Sequence, residues 1–208
     1  MSVVLFRREY PMTDTRSMRY YDENSQHFIE STLQADMSEH YEKFLKFMKS
    51  GDRILDAGCG TGRDTKAFLE RGYRVSAFDG SKKMVEFASS YTGILVEHTD
   101  FLAYSSNHLF DGIWACASLL HIGYEEQLEV LKKYHGFLKA CGVFYMSFKY
   151  GHGVFEKEGR RFFCHGVESL RELIQTSKKY EIKEMYISND VRQHHLDEKW
   201  ISVILEKR

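Results

Sequence analysis

Between residues 53 and 150 the hydrophobic pattern switches repeatedly between two periods, and nothing else in the chain constrains the fold as strongly. Short apolar runs, "RILDAG", "YRVSAFDG", "GILVEHTD", "FDGIWACAS" and "GVFYMSFKY", read as buried strands. Between them, "TGRDTKAFLERG" ending at Gly72, "SKKMVEFASSY" with Ser81 as N-cap, and "EEQLEVLKKYHGFLKA" carry apolar residues at helical spacing. Strands joined through helices run parallel, so the alternation specifies an α/β fold whose mostly parallel sheet is covered on both faces. Upstream, Phe28, Leu33, Met37, Tyr41, Phe44, Leu45 and Met48 predict one or two amphipathic helices within 25–48. Downstream, a short helix around 168–177 precedes "YEIKEMYIS" and "WISVILEK", which predict an antiparallel edge hairpin and bring the sheet to seven strands.

A chain of 208 residues with 43% hydrophobic content suits one core and one domain. Its net charge of -1 supplies no overall attraction to nucleic acid or acidic membrane, and its basic pairs are scattered. Cys59, Cys116, Cys141 and Cys164 show no paired short spacing and read as reduced thiols. No apolar stretch is long enough for a signal core or a bilayer span, so the expectation is a cytoplasmic protein, monomeric or homodimeric, without a membrane partner.

The sharpest local motif is "DAGCGTG", where Gly58, Gly60 and Gly62 follow the first strand and open a helix. Such a turn lets backbone N–H groups approach a ligand beside unpaired helix N-terminal donors. A phosphate loop would need lysine and then serine or threonine after its last glycine, but Arg63 and Asp64 stand there. A dinucleotide fingerprint would place its third glycine at position 63 rather than 62.

The spacing G-x-G-x-G, with Asp56 before it and Asp79 ending the next strand, resembles the class I S-adenosylmethionine-dependent methyltransferases. The likeness extends through "HTDF" and "FDGIWACASLLHI" and covers roughly residues 15–150. It implies a Rossmann-like fold, S-adenosylmethionine as cofactor and S-adenosylhomocysteine as product. By the same resemblance Gly58, Gly60 and Gly62 pass under the methionine part, Asp79 takes the ribose hydroxyls, Asp100 takes the adenine amino group, and the Phe101 backbone lies beside the ring. Asp56, Cys59, Arg63, Gly80, Ser81 and Ala115 fall along the same strand ends and complete the implied cofactor set, with Tyr21 of "MRYYDENS" closing over it. The implied organisation is N-terminal lid helices at about 15–48, a cofactor core at about 50–150, and a substrate side at 151–208.

Methyl transfer is an in-line displacement that depends chiefly on positioning, so a catalytic side chain is optional. His121, just past the fourth strand, is the general-base candidate, with a packed or capping histidine as the alternative. Lys149 and Tyr150 at the end of strand five, and Arg192 and His194 in the last loop, are candidates for binding an anionic small-molecule acceptor. His194 and His195 have no third ligand at metal spacing, so no metal is expected. The Asn/Asp-Pro-Pro-aromatic turn carried by those members of the family that methylate exocyclic amines of bases or glutamine side chains is absent, because Cys116-Ala117-Ser118-Leu119 occupies that place and the single proline is Pro11. In size the chain is similar to small bacterial methyltransferases of the tellurite-resistance and ubiquinone-biosynthesis-like groups. Competing readings are a tRNA or protein methyltransferase and a non-catalytic S-adenosylmethionine-binding protein.

Overall fold

The computed structural model describes residues 15–192 and 197–208; His194 and His195 lie outside that set. Helices α1 (Thr15–Glu23), α2 (Ser25–Thr32) and α3 (Ser38–Leu45) lead into β1 (Arg53–Ala57), α4 (Arg63–Glu70), β2 (Arg74–Asp79), α5 (Lys82–Thr92) and β3 (Val96–His98). After β4 (Phe110–Ala115) come a 3-10 turn (Leu119–His121), α6 (Tyr124–His135) and β5 (Leu138–Lys149). The chain finishes with β6 (Val154–Lys157), β7 (Arg160–Phe163), α7 (Val167–Ser177), β8 (Tyr180–Asn189) and β9 (Lys199–Lys207).

Seven strands form one sheet in the order β3-β2-β1-β4-β5-β9-β8, in which β9 alone runs against its neighbours. The expected C-terminal hairpin is present, and the last strand fills the slot between β5 and β8, which leaves β8 as the edge. Strand alternation explains the layers. Leu55, Ala57, Ile113, Ala115, Phe144, Met146 and Phe148 face a core closed by α6 and α7. Their neighbours Ile54, Trp114, Val143 and Tyr145 face Tyr41 and Phe44 of α3 and Phe68 of α4. Trp114 stacks on Tyr145 with ring centroids 3.8 Å apart.

Two boundaries and one hairpin differ from the sequence reading. The fourth strand stops at Ala115 because Ala117 adopts φ 50, a left-handed conformation that no strand continues. The sixth helix ends at His135, and the "FLKA" predicted to be helical instead joins β5, with Leu138 paired to Phe110. The hairpin β6–β7 was not anticipated; it turns through Glu158 (φ 53) and Gly159 (φ 75), the doubly positive pair that a two-residue turn demands.

Candidate active site

The sheet changes winding direction between β1 and β4, and a cavity of about 350 Å³ opens at the C-terminal strand ends there. Gly58, Gly60 and Gly62 all have positive φ (75, 52 and 76), so the turn after β1 depends on glycine. The reasons differ by position. A Cβ on Gly62 would lie 2.8 Å from Thr92 Cγ2, whereas one on Gly60 would meet only Phe28 at 3.5 Å. Gly62 therefore serves helix packing and does not line the cavity, while Gly60 presents its backbone to the open space.

Asp79 organises this turn. Its Oδ2 accepts from Gly60 N–H and its Oδ1 from Ser81 N–H, each at 2.8 Å. Burial raises its pKa, and the two backbone donors oppose that rise. Each carboxylate oxygen retains a lone pair for a further donor. Ser81 caps α5 by accepting from Met84 N–H, and its hydroxyl donates to Asp22 of α1 at 2.7 Å, tying α1 to the cavity rim beside Gly80.

Beneath the turn lies a buried polar cluster. Asp64 accepts from Tyr41 Oη (2.6 Å), Trp114 Nε1 (2.8 Å) and Arg63 Nε (2.6 Å), and Thr65 Oγ1 donates to Asp56 at 2.6 Å. Arg63 also reaches the Thr32 carbonyl of α2, so it spans lid and turn while its charge is matched by Asp64. Asp56 faces α4 rather than the cavity, and burial followed by the Asp64 charge pushes its pKa up to about 8. Asp64 moves the opposite way: burial alone would raise it, but the Arg63 charge and its hydrogen bonds hold it low.

On the β3 side, Asp100 Oδ1 accepts from Leu102 and Ala103 N–H at 2.8 Å each and caps the turn that places Phe101 against Phe78. Ala115 is completely buried outside the cavity; Cys116, Ala117 and Ser118 line it instead. Ala117 holds its left-handed conformation with its N–H on Ser147 Oγ at 2.8 Å. Burial pushes the Cys116 thiol up to about 12, which removes it as a nucleophile at neutral pH.

His121 is fixed at both ring nitrogens. Nδ1 lies 2.9 Å from the Arg161 carbonyl, which only accepts, so in the neutral ring Nδ1 carries the proton. Nε2 then accepts from the Tyr21 hydroxyl at 2.9 Å. Tyr21 comes from α1 and packs edge-on against Phe28 and His121. Burial raises its pKa, and Arg160 beside it opposes the rise.

At the far end, Lys149 pairs with Glu198, and Arg192 makes two bonds to Asp190 at 2.9 and 2.5 Å. Every lysine and arginine among the described lining residues stands within ion-pair distance of a carboxylate. Tyr150 is 42% exposed and outside the cavity. The structure adds lining residues that the sequence reading did not single out: Arg160 and Phe162 from the unanticipated hairpin, Trp200 and Ser202 from β9, and Ser188 from β8. Their only sequence signal was alternation in short strands, which does not say which face meets a ligand.

Residues 54–142 match a sequence family described as "Methyltransferase domain". An uncharacterized methyltransferase of Anoxybacillus flavithermus is 32% identical over 111 residues, 51% of this chain and 52% of that protein. The chain spans about half the length of the curated relatives it matches. Among solved structures, Burkholderia thailandensis 1,6-didemethyltoxoflavin-N1-methyltransferase, with 1,6-didemethyltoxoflavin and S-adenosylhomocysteine bound, superposes with a TM-score of 0.75 at 19% identity, covering 96% of this chain and 93% of that one. Residues 54–142 thus carry a methyltransferase domain, and the fold is the one seen in S-adenosylmethionine-dependent methyltransferases. TehB from Haemophilus influenzae, with a TM-score of 0.67 at 16% identity over 88% of this chain and 66% of that one, shares the methyltransferase fold.

A class I methyltransferase must seat a cofactor bearing adjacent ribose hydroxyls and a cationic sulfur. The cavity suits both: Asp79 offers acceptor lone pairs at one wall, Asp100 and Glu126 add carboxylates, and the lysines and arginines are already matched. No helix among the described residues is long and apolar enough to cross a membrane.

Proposed function

We propose that this chain transfers a methyl group from S-adenosylmethionine to a small-molecule acceptor and that its sites are divided along one cavity. The observation carrying this reading is that Gly60 and Asp79 line the same cavity as Tyr21 and His121, so a ligand held by the first pair reaches the second. The bound cofactor supplies an electrophilic methyl group on sulfur. Asp79 takes the ribose hydroxyls while it holds the turn through Gly60 N–H, and Asp100 and the Phe101 backbone take the adenine end. Asp56, Arg63 and Gly62 act from behind, by keeping α4 and the turn in place. His121 accepts the acceptor's proton at Nε2 through Tyr21, and the Arg161 carbonyl holds its tautomer.

A small acceptor fits a cavity of about 350 Å³ roofed by α1 and α2. The Burkholderia enzyme that shares the fold holds 1,6-didemethyltoxoflavin beside S-adenosylhomocysteine, which supports this choice. A metalloid oxyanion, the acceptor suggested by a tellurite-resistance kinship, finds its candidate cations Lys149 and Arg192 already paired with Glu198 and Asp190. An uncharged organic acceptor is the better match.

Titration calorimetry with S-adenosylmethionine and S-adenosylhomocysteine, with NAD as control, tests the reading. The expected result is binding of both sulfur ligands, abolished by Asp79→Ala, and no NAD binding; indifference to Asp79→Ala or a preference for NAD refutes it.

A further inference from the structure

Arg160 carries a buried Nε–H with no hydrogen-bond partner among the described residues, although the same guanidinium is paired through Nη2. Its Nη2 donates to Glu158 Oε2 at 2.6 Å, and its Cζ lies 3.9 Å from the Tyr20 ring centroid and 5.3 Å from that of Phe162. Buried polar atoms are normally satisfied, and because Arg160 lines the cavity, its orphaned donor, closed off from solvent, gains a partner when a ligand draws the side chain toward it. The surroundings say which kind. Phe162 is 5% exposed and packs against His121 with centroids 5.0 Å apart. Arg160 is also 5.7 Å from the Tyr21 ring, so the orphan donor and the Tyr21 hydroxyl belong to one small cluster. Tyr21 donates its proton to His121 and its oxygen faces the Arg160 guanidinium, which leaves one lone pair for accepting from a ligand.

A donor beside an acceptor, on aromatic walls, is complementary to a flat ligand edge that presents an acceptor beside a donor. The Arg160 charge is already matched by Glu158, so the edge need not be anionic. Trp200 and Ser188, directly paired across β9 and β8, line the cavity farther along, and Ser188 Oγ is likewise buried without a partner.

Resting on the methyltransferase reading, we propose that the acceptor is an uncharged planar ring bearing an N–H or O–H next to a carbonyl or ring nitrogen, with Arg160 Nε binding the acceptor atom of that edge. The nucleophilic nitrogen or oxygen gives its proton to Tyr21 Oη as the Tyr21 proton moves to His121 Nε2. Its electron pair forms the bond to the methyl carbon, and the pair of the broken carbon–sulfur bond stays on sulfur. Arg160 thus determines specificity while Tyr21 and His121 carry the proton.

The test uses the full chain saturated with S-adenosylhomocysteine, with three probes titrated by calorimetry: 2-quinolone, quinoline and quinoline-2-carboxylate. The expected order is 2-quinolone binding best, with about a tenfold or greater loss in Arg160→Met and a smaller loss in Ser188→Ala. Retained S-adenosylhomocysteine affinity in both variants shows that the site is intact. Preference for the carboxylate, no binding of 2-quinolone, or equal 2-quinolone affinity in wild type and Arg160→Met overturns the proposal. Failure of S-adenosylhomocysteine itself to bind overturns the broader methyltransferase reading instead, so the two failures are distinguishable.

Discussion

Asp64→Asn removes one charge from the cluster that joins the lid helices to the glycine turn. Asp64 is 5% exposed, and its two oxygens receive Tyr41 from α3, Trp114 from β4, and both Nε and Nη2 of Arg63. The asparagine keeps the shape and one acceptor but turns an amide N–H₂ toward those donors and leaves the Arg63 guanidinium largely buried without its carboxylate. Breaking one partner of a buried pair costs about 3–5 kcal/mol, and that is the expected loss at pH 7. Urea unfolding with an unchanged slope measures it. Arg63→Met in the same background removes the stranded charge, so the double variant should recover about 1–3 kcal/mol relative to the sum of the single changes. The arrangement also has a pH signature. The folded pKa of Asp64 is lowered, so its contribution is complete above the unfolded value of about 3.9 and is lost as pH falls through the folded value. A loss under about 1 kcal/mol for Asp64→Asn, or strict additivity with Arg63→Met, refutes the reasoning.

Asp56 behaves in the opposite sense. Its folded pKa of about 8 exceeds the unfolded value, so the associated stability is full at low pH and falls between about pH 4 and 8, at up to about 1.4 kcal/mol per pH unit. Asp56→Asn should flatten that slope in urea melts at pH 5, 6, 7 and 8, and parallel profiles would count against it. Gly62→Ala must force φ 76 on a Cβ only 2.8 Å from Thr92 Cγ2, and is expected to cost about 2–4 kcal/mol by thermal or urea melting. His121→Gln should lower kcat by roughly 10²-fold on an acceptor with a weakly acidic N–H or O–H, and by less as that acidity increases. Tyr21→Phe should follow the same trend while keeping the ring contact with Phe28, and an equal loss across acceptors of different acidity would remove the proton-transfer role from both residues.

The legible parts of the site share a physical property: their signal is local. Gly58, Gly60 and Gly62 announce a turn because their positive backbone angles are ones that residues with a Cβ seldom adopt, and Ser81 announces the start of α5 because its hydroxyl accepts from Met84 N–H three residues on. Residues that meet only across the fold were less legible. Lys149 and Arg192 read as free cations because Glu198 and Asp190 become their partners only when β5, β8 and β9 are assembled. Ala115 reads as a site residue because the register of a strand end is ambiguous by one position, and that one position turns a side chain from the cavity into the core. The hairpin β6–β7 escaped notice because each strand has four residues and its turn is Glu-Gly rather than Asn-Gly or Asp-Gly.

The amino-acid sequence by itself determined the α/β alternation, the glycine turn and the acids at successive strand ends, because periodicity, turn conformation and helix capping act over a few residues. Tertiary structure alone decided that β9 enters the sheet before β8, that Tyr21 of α1 meets His121 after β4, and that Arg160 Nε is buried without a partner among the described residues. Those contacts join residues up to a hundred or more positions apart, and whether a polar group there ends up paired or orphaned depends on what the packed chain brings beside it.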